Sequence, residues 1–102
     1  MTDFWKNKTV LITGAASGIG KIMAGKTLQM GARVWMWDIN QEALAKVQAD
    51  FSQYGEVHAK QVDISDVVQI QAAATELLQT AGKLDVLINN AGIVVGKYFH
   101  EH

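Results

Sequence analysis

A glycine-rich segment, residues 13–20 (TGAASGIG), follows an apolar run at 9–12 and leads into a stretch with helical periodicity. The first N–H groups of a helix lack partners within it, and the helix macrodipole adds partial positive charge there. Glycine adopts left-handed backbone angles and lets the backbone approach a bound group, since it has no Cβ. The segment therefore predicts a pyrophosphate site, contacted by Gly14, Ser17, Gly18, Ile19 and Gly20.

The spacing of the glycines distinguishes this segment from the general dinucleotide-binding fingerprint. Gly14, Gly18 and Gly20 are arranged as Gly-x-x-x-Gly-x-Gly, whereas the general dinucleotide fingerprint is Gly-x-Gly-x-x-Gly. A glycine motif alone is weak evidence because ordinary turns also contain such glycines. The prediction of a dinucleotide site therefore depends on residues further along the chain.

Asp38 ends a strand-like run at 33–38 and is the candidate ligand for the adenosine ribose. Its carboxylate can accept hydrogen bonds from the ribose hydroxyls and would repel a 2′-phosphate. Ser17 and Ile39 are uncharged, and no Arg or Lys beside them favours NADP. We therefore expect NAD to be preferred over NADP. For an isolated aspartate, a solvated acid at a strand end is the alternative.

Asp63 and Ile64 follow the third strand-like run, at 57–62. The Asp63 carboxylate is a candidate acceptor for the adenine amino group, and the Ile64 N–H is a candidate donor to a ring nitrogen. An Asx-turn is the alternative role for Asp63.

The elements that position these residues alternate between strand and helix. Connections of this length exclude hairpins and require parallel pairing with right-handed crossovers. The pattern βαβαβαβ predicts an α/β fold, a Rossmann-like doubly wound parallel sheet, as one dinucleotide-binding domain over residues 1–102. For a dinucleotide-binding sheet of this kind the expected strand order is 3-2-1-4. The predicted strands are 9–13, 33–38, 57–62 and 84–89, and the predicted helices are 17–30, one capped by Asn40, and one capped by Ser65 or Asp66 and closed by Gly82.

The first helix has a less regular apolar stripe than the other two. Its large apolar residues recur at helical spacing, but Lys26 and Thr27 interrupt the face that they define. The stripe predicted to be buried consists of Ile19, Ile22, Met23 and Met30.

Composition excludes several classes of function. A net charge of −1 with scattered Lys and Arg argues against nucleic acid as a partner. There is no Cys, and His100 and His102 have no helical metal-site spacing, so we expect no metal. No run approaches the ~20 apolar residues that a membrane span needs, and no export signal begins the chain, so we expect a cytoplasmic protein without a membrane partner.

Residues 89–92 (NNAG) complete a set of motifs that resembles the short-chain dehydrogenase/reductase family. That family carries Thr-Gly-x-x-x-Gly-x-Gly after the first strand, an adenine-site Asp after the third, and Asn-Asn-Ala-Gly after the fourth. The resemblance implies that Asn90, Ala91 and Gly92 border the cofactor and that Asn89 links the sheet through backbone hydrogen bonds. A polar strand end with a turn is the alternative.

The same resemblance implies hydride exchange between a nicotinamide and an alcohol or carbonyl, with a Tyr-x-x-x-Lys pair and a Ser as catalytic residues. The chain has no such pair, since Tyr54 and Tyr98 are each followed four residues later by His. We therefore expect the cofactor-binding part of an NAD-dependent oxidoreductase, truncated at its C-terminal side and inactive alone. The alternative is a non-catalytic module that binds NAD or adenosine phosphates, or an assembly fragment.

The predicted sheet also has consequences for assembly. Strand order 3-2-1-4 leaves the fourth strand at an edge, with unpaired N–H and C=O groups that invite pairing. The third helix would be the sole cover of one face of the sheet, which leaves apolar surface exposed. We therefore expect a homo-oligomer.

Overall fold

The computed structural model of the chain describes residues 2–91. A short 3-10 turn, Thr2–Phe4, precedes four strands that alternate with three helices. The predicted alternation is confirmed, and the element bounds differ from the predicted ones by at most two residues. The elements are β1 (Thr9–Thr13), α1 (Gly18–Gln29), β2 (Arg33–Asp38), α2 (Gln41–Phe51), β3 (Val57–Gln61), α3 (Val67–Ala81) and β4 (Val86–Asn89).

The four strands form one parallel sheet in the order β3-β2-β1-β4, as predicted. In this register Thr13 at the end of β1 lies opposite Trp37 of β2 and Asn89 of β4. Parallel strands end at the same edge of a sheet, where ligands of open α/β folds bind. The segments that follow the four strands are therefore brought to one edge.

Two hydrophobic cores lie on opposite faces of the sheet. Side chains alternate between the faces along a strand, so Val34 and Met36 of β2 face one core while Trp35 and Trp37 face the other. The first core is completed by α1 and α2, and the second by α3. β1 is completely buried, as expected for a central strand of a parallel sheet.

The predicted buried stripe of α1 is wrong. Ile19 is 67% exposed, Ile22 57% and Met30 40%, and Met23 is partly buried. Small residues bring the helix close to the sheet and to the glycine segment, so the large side chains point outward. The buried residues of α1 are Gly20, Ala24, Thr27 and Leu28.

Thr27, which interrupts the predicted stripe, is itself part of the buried face. Its hydroxyl donates to the carbonyl of Met23 at 2.8 Å and lies 3.2 Å from that of Ala24. This bond within the helix satisfies the hydroxyl, so a threonine can be buried there.

The other two helices begin with side-chain caps. Asn40 Oδ1 accepts from the N–H of Ala43 at 3.0 Å, as predicted for α2. Asp66, one of the two predicted caps of α3, accepts from the N–H groups of Val68 and Gln69. α3 ends at Gly82, whose φ of 82° is left-handed and suits glycine.

A carboxylate joins β1 to β4 at the edge where the strands begin. Asp85 Oδ2 accepts from the Thr9 N–H at 2.7 Å and lies 3.2 Å from Lys83 Nζ. The Asp85 N–H in turn donates to the Thr9 carbonyl at 2.9 Å. The bond from the Thr9 backbone is the main reason that the pKa of Asp85 lies below its usual value.

None of the helices within residues 2–91 combines the length and the apolar character that a membrane span requires.

Candidate functional site

The glycines after β1 meet different structural requirements. Gly14 and Gly18 have φ values of 65° and 58°, which favour glycine. A Cβ on Gly20 would lie 2.2 Å from the Gly14 carbonyl oxygen, whereas a Cβ on Gly18 would have no atom within 4 Å. Gly20 therefore permits close contact between α1 and the preceding loop. Gly18 provides a left-handed turn beside open space.

The first turn of α1 has no side-chain cap. Ser17 is extended, with φ −157° and ψ 165°, and its side chain makes no capping hydrogen bond. The turn contains no acidic residue, and Ser17, Gly18 and Ile19 are exposed. Its N–H groups and the positive end of the helix dipole are thus open to an anion, which fits a pyrophosphate.

Asp38 connects the end of β2 to the glycine segment. Its Oδ2 accepts from the Ala16 N–H at 3.0 Å, and its Oδ1 accepts from the Asn40 N–H at 2.9 Å. Each carboxylate oxygen can accept more than one hydrogen bond, so both retain capacity for ribose hydroxyls. These bonds fix a half-buried negative charge beside the loop.

Asp63 forms the Asx-turn that sequence reasoning offered as the alternative. Its Oδ1 accepts from the Ser65 hydroxyl at 2.6 Å and from the Ser65 N–H at 2.9 Å. These two bonds, the hydroxyl bond first, hold the pKa of the Asp63 carboxyl below its usual value. Within residues 2–91 no hydrogen bond reaches Oδ2. The turn therefore orients the carboxylate and leaves one oxygen available to a ligand.

A cavity of about 150 Å³ lies between the segments that follow the strands. It brings together half of the predicted site residues, from four separate parts of the sequence, and Trp37 and Val62 complete its lining. Ser17, Gly18, Ile19 and Gly20 are not in this lining, since they form the start of α1. The predicted residues that line the cavity are Gly14, Asp38, Ile39, Asp63, Ile64 and Ala91.

The segment after β4 is fastened to the glycine loop. Asn90 Nδ2 donates to the Gly14 carbonyl at 3.2 Å, and the Ala91 N–H donates to Thr13 Oγ1 at 3.2 Å. The Thr13 hydroxyl donates to Asn89 Oδ1 at 2.8 Å, so Asn89 links the sheet through its side chain in addition to strand pairing. Gly92, predicted to border the cofactor, lies outside the described residues, as do Tyr98, His100 and His102.

Sequence reasoning missed two residues that organise this edge. Thr13 is fully buried and joins β1 to the segment after β4. Gln69 Oε1 accepts from the Asp63 N–H at 2.9 Å. The Asp-x-x-Gln spacing from Asp66 to Gln69 was an available signal, because it matches a capping box. Here, however, the Gln side chain reaches Asp63 rather than the N–H of the cap residue.

No group of three or more metal-binding side chains is found in the part of the chain that the structure describes. The site is instead built from backbone N–H groups and two carboxylates. Such groups bind phosphates and hydroxyls, the two polar groups that alternate along a dinucleotide.

Comparison with known proteins identifies the class of protein that has this fold and site. The sequence model of the short chain dehydrogenase family matches residues 8–102. The chain belongs to this family, whose members are oxidoreductases, and its nucleotide-binding Rossmann fold is that of the family.

Individual relatives agree with this assignment. The chain is 38% identical over 88 residues to 3beta-hydroxysteroid dehydrogenase 2 of Eggerthella lenta, covering 85% of this chain and 34% of that protein. A metagenomic short-chain oxidoreductase solved in complex with NADP has a TM-score of 0.82 at 36% identity, covering 87% of this chain and 41% of that one.

A short chain dehydrogenase/reductase of Burkholderia phymatum was solved in complex with NAD. It has a TM-score of 0.78 at 32% identity, covering 81% of this chain and 30% of its own. Related structures thus hold either nicotinamide dinucleotide. The chain spans about a third of the length of the curated relative described above.

Proposed function

We propose that this chain is the cofactor-binding part of an NAD-dependent short-chain oxidoreductase that acts on an alcohol or carbonyl substrate. The observation that carries this proposal is the cavity at the ends of the strands, whose lining includes both Asp38 and Asp63. The uncapped start of α1 lies at the same edge. One edge of the sheet therefore offers groups for a pyrophosphate, a ribose and an adenine.

The roles follow from the chemistry of each group. The first turn of α1, with Gly18, Ile19 and Gly20, would hold the pyrophosphate. Asp38 would accept from the ribose hydroxyls, and Asp63 Oδ2 with the Ile64 N–H would meet the adenine. Asn90, Ala91 and Gly92 would border the cofactor after β4. A bound nicotinamide supplies hydride transfer.

Preference for NAD over NADP follows from the charge around Asp38. Its carboxylate is fixed beside the loop by the Ala16 N–H, and the residues that line the cavity include no Lys or Arg. Ser17 and Ile39 are uncharged and exposed. A 2′-phosphate placed there would face a carboxylate without a compensating cation.

We assign no catalytic residue in this chain, because its sequence has no Tyr-x-x-x-Lys pair. The chain by itself is therefore proposed to bind cofactor as a single domain without turning over substrate.

We also propose a cytoplasmic homo-oligomer, since the chain has no Cys and β4 pairs with β1 alone among the described strands. Sedimentation velocity of the purified protein tests the assembly state.

Calorimetric titration of NAD and NADP tests the proposed site. We expect NAD to bind more tightly than NADP, and Asp38→Ala to lower NAD affinity about tenfold or more, since hydrogen bonds to a charged group are lost. The same variant should lose part of its discrimination against NADP. Asp50→Ala is the matched control because Asp50 is exposed in the last turn of α2, outside the cavity lining. An unchanged NAD-to-NADP ratio in Asp38→Ala would contradict the assignment of Asp38.

A further inference from the structure

Gln69, in the first turn of α3, makes two side-chain hydrogen bonds that link α3 to the loop after β3. Its Oε1 accepts from the Asp63 N–H at 2.9 Å, and its Nε2 donates to Asp66 Oδ2 at 3.1 Å. Asp66 is itself fixed as the cap of α3, because its Oδ1 accepts from the Val68 and Gln69 N–H groups. The Gln69 amide therefore connects a rigid helix start to the backbone of Asp63.

The chemistry of the two partners determines the orientation of this amide. A carboxylate can only accept, so the Nε2 amine must face Asp66. A backbone N–H can only donate, so the Oε1 oxygen must face Asp63. The flipped amide would satisfy neither partner. Gln69 is thus matched to both of its neighbours at once.

Asp63 is held at three points. Gln69 accepts from its N–H, the Asp66 N–H donates to its carbonyl at 2.9 Å, and Ser65 holds Oδ1 of its carboxylate through a hydroxyl and a backbone N–H. Within the described residues Oδ2 accepts no hydrogen bond. Asp63 and Ile64 line the cavity, whereas Gln69 does not, so Gln69 acts on the cavity only through Asp63.

The geometry points to Gln69 as a positioning residue for adenine recognition, which fixes Asp63 so that its Oδ2 accepts from the exocyclic amino group of the base. This inference rests on the proposed function. The group that Asp63 would recognise is the 6-amino group, which every adenine nucleotide carries. Hypoxanthine carries a carbonyl oxygen in its place, which would face the carboxylate oxygen without a proton between them.

The test compares NAD with nicotinamide hypoxanthine dinucleotide by calorimetric titration. The two ligands differ at the 6-position of the base and share the pyrophosphate, both riboses and the nicotinamide. We expect the wild-type protein to prefer NAD by about tenfold, the scale of one hydrogen bond to a charged acceptor. Gln69→Met keeps the side-chain length but removes both hydrogen bonds, and should reduce this preference to about threefold or less.

Gln71→Met is the matched control, since Gln71 is exposed on the same helix and does not line the cavity. It should keep the wild-type preference. A merely structural role of Gln69 would lower the unfolding temperature and weaken both ligands equally, without changing their ratio. The ratio therefore separates positioning from general stability.

Ser65→Ala provides a second, independent variant. It removes the hydroxyl bond to Asp63 Oδ1 but keeps the backbone bond, so a smaller loss of the same preference is expected. If Gln69→Met does not fold, Gln69→Ala, which also removes both Gln69 bonds and has a higher helix propensity, decides in its place, and an unchanged preference there overturns the inference.

Each remaining outcome has a distinct meaning. Equal binding of the two dinucleotides by the wild-type protein overturns the inference and the proposed contact of Asp63 with the adenine, but leaves the proposal of dinucleotide binding standing. A wild-type preference in folded Gln69→Met overturns the inference alone. Failure of the wild-type protein to bind NAD and NADP overturns the proposed function and this inference with it.

Discussion

α1 begins differently from α2 and α3, although all three helices begin at the same edge of the sheet. Asn40 caps α2 and Asp66 caps α3, each through a side-chain oxygen that accepts from the first turn. Ser17 occupies the equivalent position of α1 and makes no such bond. Serine is a good cap residue, so its residue type alone does not account for this difference.

The start of a helix can gain stability from a side-chain cap, as in α2 and α3, or leave its N–H groups available to a ligand, as in α1. A side-chain cap is typically worth about 1 kcal/mol, which α2 and α3 gain and α1 does not. The N–H groups that a cap would occupy at α1 are instead available to an anion. A free energy of about 1 kcal/mol is a sizeable fraction of the total stability of a small domain. A ligand that binds only the folded protein, at the start of α1, should stabilise the fold.

The largest expected effect comes from filling the space beside α1. Gly18→Val introduces a side chain where a Cβ has no neighbour within 4 Å and φ is 58°. Because this space is the proposed pyrophosphate position, NAD affinity should fall on the order of a hundredfold or more. The left-handed backbone should also cost about 1–2 kcal/mol of stability. Calorimetry and chemical denaturation measure the two effects.

Gly82→Val is the matched control for Gly18→Val. Gly82 has a φ of 82° and likewise no atom within 4 Å of a Cβ, but it lies at the end of α3. It should lose similar stability and keep its NAD affinity. Undiminished NAD binding by folded Gly18→Val would show that the start of α1 does not hold the pyrophosphate.

Removing the polar side chain at each helix start gives a smaller effect and tests the comparison directly. Asn40→Ala should lower the free energy of unfolding by about 1 kcal/mol, because the bond to the Ala43 N–H is lost. Ser17→Ala should change it by only a few tenths of a kcal/mol, since Ser17 makes no cap bond. Urea denaturation without cofactor measures both. Equal losses in the two variants would mean that α1 is capped after all.

The smallest expected effect lies at the opposite edge of the sheet, where Asp85 joins β1 to β4. Asp85→Asn keeps an acceptor for the Thr9 N–H but removes its charge, so the loss at pH 7 should be below about 1 kcal/mol. The Lys83 side chain is 54% exposed, so solvent weakens its ion pair with Asp85.

The pH dependence of this loss has a definite sign. The folded pKa of Asp85 lies below its ordinary value of about 3.9, so its contribution is present above that pH and disappears as the pH falls through the lowered folded pKa. Thermal unfolding of wild type and Asp85→Asn should therefore converge below about pH 4. A constant difference in unfolding temperature down to pH 2 would contradict this role. NAD affinity at pH 7 should be the same in both.

Short-range patterns predicted the strands, the cap at Asn40, either Ser65 or Asp66 as the cap of α3, and the glycine stop at Gly82, since each depends on neighbouring residues. The candidate site was predictable in outline because every parallel strand ends at the same edge. The buried face of α1 was not predictable from its large apolar residues. Close approach to the sheet selects small side chains there, and Ile19 and Ile22 are displaced outward.

The sequence by itself determined the alternation of elements and the residue types that follow each strand, because periodicity and glycine spacing are local properties of the chain. The strand order was predicted from the fold class and is confirmed by the structure. Only the tertiary structure decided how that edge is assembled. Thr13 and Asn89 are 76 residues apart in sequence and share a hydrogen bond, and Gln69 reaches back to Asp63 from another element. Such contacts depend on how elements pack, so no local pattern specifies them.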